Sequence, residues 1–168
     1  MKVTLYMATT LNGLIAKSND DTKWVSKEEW DSYSAATRAA GNLIVGHRTY
    51  DILTKQPEFA EFKDVRVLVV ATHEVKLVAP NHSVVSSPRE ALALLGEVQE
   101  VMVAGGGALN ASFLAENLVD EIYLDVEPVI FGSGISLFHG TEFERPLKLL
   151  GTKHISENEI QLHYKVLK

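Results

Sequence analysis

Three short runs of the chain, NLIVG (42–46), RVLVVAT (66–72) and EVMVAG (100–105), are almost uninterruptedly apolar. A strand with one wet face alternates apolar and polar side chains, whereas a continuous run fits a strand covered on both faces of a mainly parallel sheet. Parallel strands need crossover segments, and helix-like stretches supply them: HRTYDIL after the first run and GALNASFLAEN after the third. The pattern predicts an α/β fold, a mixed but mostly parallel sheet with helices on both faces. At 168 residues, with no linker, repeat or low-complexity tract, residues 1–168 are expected to form one domain.

Local signals fill in the rest. VTLYMATTL is a strand, and Asn12-Gly13 before LIA is the sequence signature of a β-hairpin. Ser26 is an N-cap, with Glu29 three residues on completing a capping-box pattern, so a helix is expected from Lys27 to Ala40, ended by Gly41. Residues 83–85 form a small strand, Pro88 opens a helix in PREALALLG, and DEIYLDVEP is a strand. KLLGTKHIS and EIQLHYKVL read as two antiparallel strands turning at Glu157-Asn158.

Charge and residue usage exclude whole classes of function. A net charge of -6 with no basic stripe argues against nucleic-acid binding. Without cysteine there can be no disulfide, thiolate nucleophile or sulfur-ligated metal, and the six histidines show no helical pair, so no metal site is expected. No apolar run suits a membrane span and the first residues lack a signal-peptide core, which points to a cytoplasmic protein.

Gly105, Gly106 and Gly107 end one strand and open a helix. Backbone N–H groups and a positive dipole end would there face an anion, usually a phosphate; the alternative is a tight turn without a ligand. A Rossmann fingerprint is rejected, because Asn110 stands at the third glycine position and too little chain follows. No Gly-Lys-Ser/Thr follows, so the motif is not a P-loop. Gly132-Ser133-Gly134 lacks the spacing of a nucleophile elbow and reads as an irregular turn, and Asp20-Asp21 as a solvated loop.

In order and spacing, TTLNGLIA, KWVSKEEW, NLIVGHRTY, VLVVATH, VMVAGGGALNASFL and VDEIYLDVEPVIFGSG resemble the dihydrofolate reductase superfamily. The nearest branch is that of the C-terminal reductase domain of bifunctional riboflavin-biosynthesis deaminase-reductases. The resemblance implies an eight-stranded sheet ending in an antiparallel hairpin, and hydride transfer from NADPH to a pteridine or ribosylamino-pyrimidine substrate. Gly46, His47, Arg48 and Thr49 would meet the cofactor pyrophosphate, and Ala71, Thr72 and His73 the adenosine ribose-phosphate. His47, Arg48 and His73 would favour a 2′-phosphate. Gly105, Gly106 and Gly107, with Ala108 and Leu109, would pack along the pyrophosphate and nicotinamide ribose, the first two glycines joined by a cis peptide. Thr10, Asn12, Leu14 and Ile15 would form a loop over the cofactor.

On the substrate side the resemblance implies a carboxylate five residues beyond Trp24, which is Glu29, with Trp24, Tyr33 and Thr49 around the substrate. Glu29 is therefore a candidate catalytic residue and, equally, a capping-box residue. Departures are visible: Lys23 replaces a proline, Val65 stands where folate reductases place a tail-clamping arginine, and Asp125 where they place a threonine. Neither H-x-E nor P-C-x-x-C of the deaminase half occurs, so a stand-alone reductase domain is expected, as a homodimer like others of its branch. The alternative is a nucleotide-binding sensor that has lost catalysis.

Overall fold

The computed structural model describes residues 1–168. The chain enters at β1 (Lys2–Thr10), makes a short β2 (Leu14–Ala16), and after a loop forms α1 (Lys27–Ala40). β3 (Asn42–Gly46) passes directly into α2 (His47–Leu53), then a 3-10 turn at Pro57–Phe62, β4 (Arg66–Val70) and β5 (His82–Val85). α3 (Pro88–Leu95), β6 (Glu100–Val103), α4 (Gly107–Ala115) and β7 (Glu121–Glu127) complete the alternation. β8 (Ile135–Ser136), β9 (Leu147–His154) and β10 (Ile160–Val166) follow.

Eight strands form one sheet in the order β5-β4-β3-β6-β1-β7-β10-β9. Pairings from β5 through β7 are parallel, and only β10, against both β7 and β9, is antiparallel. The expected sheet and C-terminal hairpin are both present. The continuous apolar runs have the anticipated cause. Ile44 and Leu68 face one core with Ala91 of α3 and Phe113 of α4. Leu43, Val45, Val67 and Val69 face the other with Tyr33 of α1, Tyr50 of α2 and Phe62.

One expectation fails. β2 does not fold back on β1 at Asn12-Gly13; it pairs with β8, over a hundred residues away, with Leu14 opposite Ser136. Both edges of β1 are already taken by β6 and β7, so no edge is left for a hairpin partner. The turn itself exists: Gly13 has φ +81°, and Thr10 Oγ1 accepts the Leu14 N–H at 3.0 Å while donating to Asn12 Oδ1. Gly134 has a packing reason, since a Cβ there would strike the carbonyl oxygen of Ala16.

The sheet order also locates a crevice. From β1 the chain crosses by α1 to β3 on one side, while from β6 it crosses by α4 to β7 on the other. Where successive crossovers leave in opposite directions, the carboxyl ends of the strands open a gap suited to a ligand.

Candidate active site

A cleft of about 1250 Å³ lies over the ends of β1, β3 and β6, larger than a pocket for one small molecule and of a size for a dinucleotide with a second ligand. One half is backbone. Gly46 N–H donates to Gly105 O at 2.7 Å, locking the ends of β3 and β6 together. Gly105 has φ +82° and is joined to Gly106 by a cis peptide, as the resemblance implied. Neither α2 nor α4, whose N-cap positions are Gly46 and Gly106, has a side-chain cap. Their first amides are thus free to meet an anion. The three glycines have three separate reasons: Gly105 its positive φ, Gly106 its closeness to Thr49, and Gly107 the carbonyl oxygen of Ser136, which a Cβ would strike.

The other half is made by the first two turns of α1. Glu29 lines it and is only 5% exposed. Burial, then the carboxyls of Asp125, Glu127 and Glu159, push the Glu29 carboxyl well above its ordinary range, which favours its protonated form. Ser26 Oγ does accept the Glu29 N–H at 2.9 Å, but the reciprocal bond of a capping box is missing. Ser26 N–H donates instead to Glu127 Oε1 at 2.7 Å. Below Glu29, Asp125 accepts from Tyr6 Oη at 2.7 Å and from Gln161 Nε2 at 2.8 Å, and burial raises it to about 6. Glu127 lies against the Glu159 carboxyl, and burial with that neighbour raises Glu127 while Glu159 is lowered.

Of the residues singled out from sequence, Glu29, Tyr33, Thr49, Ile15, Gly46, His47, Arg48, Gly106, Gly107, Ala108 and Leu109 line this cleft. Trp24 does not; its ring stands edge-on to Phe131 at 5.4 Å and its indole N–H goes to Asp21 O. Thr10 is buried and spends its hydroxyl on the turn, and Leu14 is held in the β2–β8 bridge. Gly105 lies behind the wall, its carbonyl used by Gly46. Ala71, Thr72 and His73 sit outside the lining, Ala71 bound through its N–H to Val85 O. His73 still connects, because its Nε2 is 2.8 Å from Nδ1 of His47, and His47 Nε2 is 3.2 Å from Asp51.

Sequence reading missed Tyr6, Met7 and Ala8, which line the cleft from the end of β1. The rule that ligands sit at strand carboxyl ends would have found them. It also took Asp20 for solvated loop. Asp20 lines the cleft with φ +66° and holds Arg48 by two contacts, at 2.8 and 2.9 Å. No sequence signal announces that pairing. Glu127 had one: Asp125 and Glu127 lie two apart, on one face of a covered strand.

Comparison with known proteins fits this geometry. Residues 1–161 match the RibD C-terminal domain family, and the chain belongs to it. The uncharacterized protein YwjB of Bacillus subtilis is 30% identical over 171 residues, covering 97% of both chains. The uncharacterized YyaP of the same organism is 23% identical, covering 97% of this chain and 94% of its own. Among solved structures, a putative riboflavin biosynthesis protein from Shewanella sp. PV-4 superposes over both full chains with TM-score 0.81 at 20% identity. The diaminohydroxyphosphoribosylaminopyrimidine deaminase/5-amino-6-(5-phosphoribosylamino)uracil reductase of Thermotoga maritima matches with TM-score 0.73 at 19% identity. This chain covers 99% of itself but 56% of that protein. The fold is that of the dihydrofolate-reductase-like RibD reductase domains.

Proposed function

We propose that the chain is an NADPH-dependent reductase acting on a pteridine or ribosylamino-pyrimidine type of heterocycle. Membership of the RibD C-terminal family supports the coarser part, a reductase-type function. The observation that carries the finer part is one cleft with an uncapped helix start on glycines at one end and a buried carboxyl, Glu29, at the other.

The residues present fit a dinucleotide. The amides opening α4 would take the pyrophosphate, and Gly106 leaves that wall without a side chain. His47 and His73 would meet a 2′-phosphate, favouring NADPH over NADH. When bound, NADPH would supply the hydride. Glu29 would give the matching proton to the nitrogen of the C=N bond reduced, which is in the ring for a pteridine and is the opened sugar imine for a ribosylamino-pyrimidine, so that one double bond gains two hydrogens. Tyr6, Tyr33, Trp30 and Ala8 wall off that end and keep water out.

Fluorescence titration with NADPH and NADH, followed by absorbance assays of cofactor oxidation with dihydropteridine and pyrimidine substrates, tests the reading. The expected result is micromolar binding of NADPH, weaker binding of NADH, and turnover of one substrate class. Absence of binding to either nucleotide overturns it, and binding without any turnover favours the sensor alternative. We further propose that the chain works as a homodimer in the cytoplasm.

A further inference from the structure

Ser26 opens α1, and its two polar groups are served by different partners. A glutamate three residues after such a serine ordinarily bends back to accept the N–H of the cap. Here the Ser26 Oγ side of the box is formed by Glu29 N–H at 2.9 Å. The Ser26 N–H is taken by Glu127 Oε1 at 2.7 Å, a residue 101 positions along the chain. Glu29 is thereby spared from capping, and its carboxyl carries no hydrogen bond from the protein while it lines the cleft.

The sheet holds Glu127 where it must be. β7 ends at Glu127, with β10 antiparallel beside it and Ile160 opposite Val126, which brings Glu159 against Glu127. Both are buried, and Glu159 Oε2 has no partner. The charged and titratable groups around Glu29 are Asp125 and Glu127 from β7, Glu159 before β10, Tyr6 from β1 and Tyr33 on α1 itself. Lys153 of β9 acts on Asp125 and is absent from the groups acting on Glu29.

We propose that Glu127 is a positioning residue: it replaces Glu29 as the reciprocal cap of α1, and this exchange is what presents the Glu29 carboxyl to the cleft. The catalytic use of that carboxyl rests on the reductase reading, whereas the exchange of caps does not. Without an acceptor from β7, the Ser26 N–H draws Glu29 back onto the helix start, where it gains a donor and leaves the cleft. A carboxylate that accepts a backbone N–H ionises more readily than one that accepts nothing.

The test is a carboxyl ¹³C NMR titration of glutamate-labelled protein without any ligand, the Glu29 resonance being assigned by its loss in Glu29→Gln. In the wild type that resonance is expected to titrate above the ordinary carboxyl range. In Glu127→Ala it is expected to titrate lower by at least about one pH unit, a tenfold or greater gain in acidity. Glu127→Asp, which keeps a carboxylate but falls a methylene short of Ser26, should do the same and guards against an unfolded alanine variant. Glu127→Gln, whose amide oxygen still accepts the N–H, loses only the push of the Glu127 charge and should lower the titration by less than Glu127→Ala does. A Glu29 midpoint unmoved in both Glu127→Asp and Glu127→Ala, or one that falls equally in Glu127→Gln, overturns the proposal. Since no cofactor or substrate enters the measurement, a protein that reduces nothing can still pass it, and an active one can fail it.

Discussion

Glu29 is asked to be buried, near three other carboxyls, and ready to give up a proton. Its charge state therefore bears on stability as well as chemistry. Glu29 and Asp125 have folded-state values raised above their unfolded ones. For such groups the folded state is favoured while both states are protonated, and that advantage is lost as pH rises through the folded value. For Asp125 the window runs from 3.8 to about 6, and at about 1.4 kcal/mol per pH unit the loss approaches ~3 kcal/mol. Glu29→Gln removes one such group and keeps the shape. Its melting temperature should match the wild type near pH 5 and exceed it near pH 8, while turnover falls about 10²-fold or more. A variant less stable at both pH values would mean that Glu29 supports the helix rather than the reaction. Gly107 carries a second prediction at this scale. A methyl at Gly107 collides with the Ser136 carbonyl, which is backbone and cannot rotate aside. Gly107→Ala should cost about 1–3 kcal/mol in denaturant unfolding, and a neutral result would show that β8 is free to move. The glycine triplet was legible as a site; that its last member answers to a distant carbonyl was not, because only the folded chain brings β8 there.

Elements divided sharply between those readable locally and those fixed by distant contacts. β3 was predicted to the residue, because four buried positions end at a glycine that opens α2. α1 was predicted from Ser26 to Gly41, and the Ser26 cap and the Gly41 end are both present, but the reciprocal half of the capping box falls to distant Glu127 rather than Glu29. The hairpin at Asn12-Gly13 failed for the opposite reason: the turn is local, but the choice of partner for β2 belongs to the whole sheet. The loop between β2 and α1 shows the same division. Asp20 and Arg48 are unremarkable separately, yet together they tie that loop to α2 across the cleft. If the α2 start receives phosphate, Asp20 competes with it for Arg48. Both side chains are partly exposed, so the pair is worth no more than about 1 kcal/mol. Asp20→Asn should therefore tighten NADPH binding by about twofold to fivefold at low salt, with the gain shrinking as salt is added. Weaker binding in Asp20→Asn would instead make the ion pair a clasp that holds the loop over the cofactor.

At the scale of the molecule, the feature left unbalanced is the sheet edge at β9. Every residue of this strand except Gly151 is exposed, and Leu147, Leu149 and Leu150 are 44%, 52% and 44% exposed, with Leu167 beside them at 40%. An eight-residue strand with an open ladder and leucines on it invites another strand, and natural sheets usually cover or charge such an edge. Lys148 and Lys153 charge it in part, but the leucines between remain wet. On the homodimer proposal, a second copy would be the occupant that supplies its own matching edge, since antiparallel pairing of β9 with β9 is self-complementary and closes as a two-fold dimer. Light scattering should give twice the 18.5 kDa of one chain. Replacing both Leu149 and Leu150 by glutamate places like charges across the two-fold axis and should yield a monomer with unchanged near-ultraviolet dichroism, because neither side chain belongs to either core. The cleft lies over β1, β3 and β6, on the far side of β7 and β10 from this edge. A dimer built on β9 would leave each cleft made from one chain, so the monomeric variant should retain nucleotide affinity within about twofold. A wild-type chain that stays monomeric at about 100 µM, the concentration of a weak association, would rule out β9 as the dimer edge.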